Sequence, residues 1–295
     1  MGKVITTRYQ LELGIESSLR VALVADLHDR PCEEVLAILQ QEQPDLICVA
    51  GDLMERHDLG AVMADGTISP WTLSSMEAWM ETKPFYAVIT RFLKALDGSL
   101  PGKAGKDTKR RKKWDEANGR HFLRRACRIA PVYYSLGNHE WYHTPEDAAL
   151  FAECGITVLD NRDVEVTAGR NDFRLGGLST RFDRDWLKAY AAKPGIKLLL
   201  MHHPTYYERL VEEVDDFALI LCGHVHGGQW RLFGRGIFAP GQGLLPHYHH
   251  GRYPTRHSRE SGQGGLILSA GCANTAGIPR FGNPCEVVIL ELNGN

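Results

Sequence analysis

The sequence predicts an α/β fold with more strands than a simple doubly wound sheet, and three observations point there. Short apolar runs recur along the chain, each the length of a buried strand and bounded by polar or glycine-containing segments. The first two flank a segment of helical periodicity, the strand–helix–strand order of a parallel sheet. A hairpin pattern and an alternating N-terminal segment then add strands that parallel crossovers alone do not supply.

Taken in order, residues 7–13 (TRYQLEL) alternate like a half-buried strand, and 20–26 (RVALVAD) and 46–52 (LICVAGD) read as buried strands. Between those two, 31–42 places Val35, Leu36 and Leu39 at helical spacing. Residues 132–136 (VYYSL) form the next strand. Thr144 then supplies an N-cap, Pro145 the first helical residue and Asp147 a capping-box acid, with Gly155 closing that helix. Residues 163–166 and 172–175 pair around turn residues 168–171, and 197–201 (KLLLM), 217–222 (FALILC), 266–270 (LILSA) and 286–290 (EVVIL) complete the strands.

Residues 56–130 stand apart. They carry amphipathic pieces over 76–96, then a segment containing glycine and proline, then a basic run. The expectation is a single domain over 1–295 with 56–130 inserted in it as a helical and basic insertion or cap. The 43% hydrophobic content suffices for a substantial core.

The formal charge of −2 argues against a generally basic nucleic-acid binder. Between positions 103 and 128, however, eleven Lys or Arg face three acids, a local balance of +8 that leaves −10 elsewhere. The seven cysteines form no C-x-x-C pair, and Cys48 and Cys222 lie in strand-like runs, so reduced structural thiols are expected. No apolar h-region opens the chain, and no stretch approaches the roughly 18 apolar residues of a membrane span. A cytoplasmic location is the expectation.

The chemistry gathers at strand ends. Asp26 and His28 form a D-x-H unit after one strand, and Gly51-Asp52 follows its parallel neighbour, where one carboxylate can bridge two cations. Gly137-Asn138-His139-Glu140 follows a third strand and offers an amide oxygen and an imidazole. His202 ends KLLLM, and His224 and His226 in CGHVHGGQ add further imidazoles, each again after an apolar run. Segments this far apart delivering Asp, Asn and His to strand termini point to a metal centre.

The ordered series D-x-H, GD, GNHE, H and GHVH resembles the calcineurin-like metallophosphoesterases. The GHVHGGQ segment, the 240–246 loop and residues 271–290 extend the likeness to the bacterial YaeI/YkuE-like phosphodiesterase branch. That resemblance implies a four-layer α/β/β/α sandwich of two mixed sheets flanked by helices, and two divalent metal ions. It assigns Asp26, His28, Asp52 and His226 to the first ion and Asp52, Asn138, His202 and His224 to the second. His202 is preferred over the adjacent His203 because the branch shows a histidine, one residue and then a proline. His139 is implied as the catalytic group, and the reaction as hydrolysis of a phosphate-ester substrate, diester before monoester, by water activated between the ions. Manganese is the first expectation among Mn, Fe, Zn and Ni. The alternatives are a catalytically weak metal-binding scaffold and a nuclease, the latter disfavoured by the acidic remainder of the chain.

Asp29 and His57 read as exposed loop residues before hydrogen-bond partners of the site, and His247, His249 and His250 as a solvated loop before a lining of the substrate mouth or an adventitious metal site. Arg280 and Gln229 are candidates either for reaching a phosphate or for structural hydrogen bonds. For the basic insert the first reading is a solvated loop and the second a peripheral membrane contact through 75–113; a phosphate-rich or nucleic-acid patch ranks last.

Overall fold

A computed structural model of the chain describes residues 3–56, 116–275 and 280–294. Residues 57–115, which include His57, the 76–96 pieces and the proposed membrane segment 75–113, lie outside the described residues.

The chain begins with β1 (Val4–Glu12), β2 (Leu19–Val24), α1 (Glu33–Glu42) and β3 (Leu46–Ala50). After the undescribed stretch come α2 (Glu116–Ala126), β4 (Val132–Ser135), α3 (Pro145–Glu153) and β5 (Thr157–Leu159). Next are β6 (Arg162–Ala168), β7 (Asn171–Leu178), α4 (Arg184–Ala191), β8 (Lys197–Met201), a π-helical turn (Tyr207–Val211) and β9 (Leu219–Cys222). Two short hairpins follow: β10 (Arg231–Leu232) with β11 (Arg235–Gly236), and β12 (Phe238–Ala239) with β13 (Gly243–Leu244). The chain closes with β14 (Gly251–Tyr253), α5 (Arg256–Ser261), β15 (Gly265–Leu268) and β16 (Cys285–Asn293).

The strands form two six-stranded sheets, ordered β1-β16-β2-β3-β4-β5 and β14-β15-β9-β8-β7-β6. Both are mixed. In the first, only the β16–β2 pair is antiparallel. In the second, β15, β9, β8 and β7 run parallel between antiparallel edges β14 and β6. The expected hairpin is β6–β7, with Ala168 paired to Asn171 across Gly169 and Arg170.

Strand alternation explains why the apolar runs are continuous. Val21 and Leu23 of β2 face the core between the sheets, whereas Ala22 and Val24 face the helices outside. In the second sheet Leu198 and Leu200 of β8 enter the same central core, while Leu199 and Met201 point to the opposite face. Helices α1, α2 and α3 cover the first sheet through Leu36, Leu39, Phe122, Leu123 and Leu150, and α4 with the π-helical turn covers the second. Three cores between four layers result. Residues 116–130, the C-terminal end of the expected insertion, thus lie partly in the outer core of the first sheet.

Local signals behave as the residue types require. Thr144 caps α3 reciprocally with Asp147, Pro145 takes the first helical position, and Gly155 follows with φ +62°. Helix α4, unmarked in the apolar pattern, is capped by Asp183, whose carboxylate accepts from the Asp185 and Trp186 amides. All seven cysteines are free thiols, and burial pushes Cys48 up to about 12. Among the described residues no helix is long and apolar enough to cross a membrane.

Candidate metal centre

Because β2 and β3 are parallel neighbours, their loops leave the sheet side by side and stay hydrogen-bonded beyond the strands. The Asp26 amide donates to Gly51 O (3.1 Å), and the His28 amide to Asp52 O (3.0 Å). Asp26 and His28 from one loop and Asp52 from the other therefore face each other. The GNHE loop after β4 joins them: the His139 amide donates to Asp52 Oδ1 at 2.8 Å. From the second sheet, the loops after β8 and β9 bring His202 and the 224–226 segment across the central core.

The side chains gather in groups of mutually close ligand atoms, Asp26–His28–His226, Asp52–His202–His224 and, drawing one member from each of these, His28–Asp52–His139. His28 Nε2 lies 3.9 Å from Asp26 Oδ1 and 3.7 Å from Asp52 Oδ2. His226 Nε2 is 3.7 Å from Asp26 Oδ1, and His202 Nε2 is 3.1 Å from Asp52 Oδ2 without the alignment of a hydrogen bond. Asn138 Oδ1, His28 Nε2 and His202 Nε2 are all buried with no hydrogen-bond partner. Buried polar atoms left so cost of order 1–3 kcal/mol each unless something binds them. Their convergence on two buried carboxylates is the donor set of a cation site.

Backbone geometry carries the same message. Asp26, His28, Asp52, His224 and His226 all have φ between +48° and +79°. Left-handed conformations in non-glycine residues cost energy and concentrate at functional sites. The approach is also too close for larger neighbours, since a methyl at Gly137 would sit 2.1 Å from Asp52 Oδ1.

Charge balance points the same way. Burial lowers the His139 and His202 imidazoles, but the carboxylate charge of Asp52 and its acidic neighbours outweighs it and raises both to about 9. His224, burdened by burial and the His202 charge, is pushed down to about 3. Asp26 is raised by burial, and by repulsion from Asp52. The pocket concentrates negative charge that a cation would neutralise.

Residues outside the expected set hold this arrangement. Glu55 receives His28 Nδ1 (2.7 Å) on one oxygen and His139 Nδ1 (2.9 Å) on the other. In sequence its only signal is its position three residues after Asp52. Glu140 accepts from the Asp52, Met54 and Gly137 amides and from the Tyr134 hydroxyl, fixing both the GD and the GNH loops. His202 itself is oriented by Nδ1 at 2.7 Å from Ala50 O.

Asp29 is not an exposed loop residue. It is fully buried, accepting from the Glu55 and Gly119 amides and from Arg56. His203 Nε2 is 3.1 Å from Thr180 Oγ1 and its ring packs between Tyr206 and His224, while His202 is the histidine grouped with Asp52 and His224. Arg280 donates to the Ala270 and Ala273 carbonyls and lies 3.3 Å from His226 Nδ1, while Gln229 donates to Asn274. Both make structural hydrogen bonds. His249 and His250 are half-buried and meet through their Nδ1 atoms at 2.7 Å.

A family model described as calcineurin-like phosphoesterase matches residues 19–228. Uncharacterized metallophosphoesterases of Campylobacter jejuni and Helicobacter pylori are 30% and 31% identical over 172 and 170 residues, each match covering 55% of this chain and 42% of the relative. Phosphodiesterase YaeI of Escherichia coli is 32% identical over 108 residues, 35% of this chain and 39% of that protein. The matched stretches thus span about two-fifths of the length of these curated relatives.

Proposed function

As the chain belongs to the calcineurin-like phosphoesterase family, we propose that it hydrolyses phosphate diesters with two divalent cations. Asp26, His28, Asp52 and His226 would hold one, and Asp52, Asn138, His202 and His224 the other. The observation that carries this reading is the convergence, from loops of both sheets, of the Asp26–His28–His226 and Asp52–His202–His224 groups, the ligand atoms within each lying within 4.8 Å of one another. Mn, Fe, Zn and Ni all accept mixed carboxylate and imidazole donors, and manganese is the first choice for a set that adds an amide oxygen and no thiolate. When bound, the cations supply Lewis-acid activation of a water and neutralise phosphate charge.

The chain's own residues do the rest. Asp52, in contact with both groups, is the shared ligand. His139, with its side chain 29% exposed, is far more open than His28 and His202. Glu55 accepts from its Nδ1, which turns Nε2 toward the site as the atom that protonates or stabilises the leaving oxygen. The preference for diesters follows the activity named for the YaeI relative. Residues 56–130 we read as an insertion within the single domain, its C-terminal part over 116–130 packing into the outer core of the first sheet.

Metal content and hydrolysis of bis-p-nitrophenyl phosphate with added manganese test the proposal. Asp52→Asn should lose both metal and turnover. His139→Ala should keep metal but lose about 100-fold or more in turnover. Asp52→Asn with wild-type turnover would overturn the assignment.

A further inference from the structure

Among the described residues eight large apolar side chains are exposed, and five of them, Leu232, Phe233, Leu244, Leu245 and Phe281, fall in three loops beyond the metal centre. Backbone hydrogen bonds tie these loops together. The Arg231 amide donates to Phe281 O (2.8 Å), the Ile237 amide to Trp230 O (2.8 Å) and the Leu245 amide to Ile237 O (2.9 Å). The tips project: Phe233 is wholly exposed, Leu245 is 72% exposed and Phe281 64%. Phe233 and Leu245 also sit at φ +50° and +51°, a conformation that bulky residues rarely adopt. Exposed apolar side chains clustered at this density mark an interaction surface.

Charge says which kind. From residue 217 to residue 259 the sequence has no Asp or Glu and five arginines, in a chain whose formal charge is −2. Arg235 is exposed and pairs directly opposite Leu232 in the β10–β11 hairpin. Arg252 is exposed on β14, with its guanidinium donating to Gly264 O. Apolar tips with Arg235 beside Leu232, on a stretch of sequence free of acids, fit a surface that is apolar within and anionic at its boundary. Separate projecting tips, in place of a groove, suit a fluid surface that deforms around them.

We propose that this face docks on an anionic lipid bilayer, with Phe233, Leu245 and Phe281 entering the headgroup–acyl boundary and Arg235 meeting lipid phosphates. The surface is distinct from the 75–113 segment. It adjoins the metal centre, because Arg280, next to Phe281, lies 3.3 Å from His226 Nδ1, and Asn283 donates to His226 O at 2.7 Å. Docking would turn the centre toward phosphate esters presented at a bilayer. That consequence rests on the phosphoesterase reading, whereas docking itself does not.

The test is sedimentation of the full-length protein with vesicles of phosphatidylcholine alone or mixed with phosphatidylglycerol. The protein should sediment with the phosphatidylglycerol vesicles only, and less as salt rises. Phe233→Asn and Leu245→Asn, which put a residue tolerant of left-handed φ at each tip, should each lower the partition coefficient about tenfold or more. Their thermal melting should match the wild type. Two results would overturn the proposal: no sedimentation with phosphatidylglycerol vesicles, which would leave an acidic protein as the occupant of this face, or undiminished sedimentation of the variant combining Phe233→Asn and Leu245→Asn, which would put lipid binding elsewhere in the chain. Hydrolysis of bis-p-nitrophenyl phosphate in the same samples without lipid reports separately on the phosphoesterase reading.

Discussion

Glu55 orients two imidazoles with one carboxylate, His28 in the candidate ligand set and His139 in the candidate catalytic position. Burial pushes its carboxyl up, but the charges of His139 and His28 and their hydrogen bonds outweigh burial and hold it below the ordinary glutamate range. Glu55→Gln keeps the volume and leaves a single acceptor oxygen, so one of the two rings must lose its partner. Turnover should fall about 10–100-fold, with metal affinity falling by a similar or smaller factor. Turnover equal to wild type, measured beside metal stoichiometry, would remove Glu55 from the site. The contrast with Asp26 and His28 explains what sequence can reveal. Those residues announce themselves by residue type directly after an apolar run, whereas Glu55 gains its role only because the GD and GNH loops meet in space. Asp29 misleads for the same reason: a loop aspartate looks solvated until Arg56, from the loop after β3, is folded onto it.

At the scale of elements, Arg56 joins the loop after β3 to helices α2 and α3. Its guanidinium binds Asp29 (2.7 Å) and Asp147 (2.7 and 3.0 Å), and Arg120 of α2 adds a bond to Asp147 (2.8 Å). Its backbone pairs with the GNH loop, donating to His139 O and accepting from the Trp141 amide. All three central side chains are essentially buried. Arg56→Met would leave the buried Asp29 carboxylate without its arginine and Asp147 with Arg120 alone, and should cost about 3–5 kcal/mol in denaturant unfolding. A loss below about 1 kcal/mol would mean that the cluster contributes little. Acid should expose the same cluster. Burial raises Asp147, but bonds from Arg56, the Thr144 amide and Arg120 outweigh it and depress its pKa. Its contribution is therefore fully present above the ordinary aspartate range near pH 4 and is lost as pH falls through the depressed value. Asp29 moves oppositely, since burial outweighs the same arginine, so acid loss of stability is carried by Asp147.

For the whole molecule, the runs buried on both faces were legible as strands because a strand between two cores has no polar side to show. Their allotment to two sheets was not, since β1 pairs with β16 from the far end of the chain and no local pattern encodes that register. The same long-range closure assembles the candidate centre, drawing Asp26 and Asp52 from one sheet and His202, His224 and His226 from the other. Without a cation this convergence is unfavourable. It gathers buried carboxylates, three unpartnered polar atoms and five left-handed residues, each of which costs of order 1 kcal/mol or more. Cation binding should therefore act on global stability as well as on turnover. Free metal at 100 times its dissociation constant adds about 2.7 kcal/mol, or about 4 °C in Tm for a chain of this size. Chelation should lower the melting temperature by that order, and manganese should restore it in the wild type but not in Asp26→Asn. A melting temperature indifferent to chelator and manganese, measured by calorimetry at fixed pH, would mean that the two sheets close without a cation, and the metal centre would fall with that result.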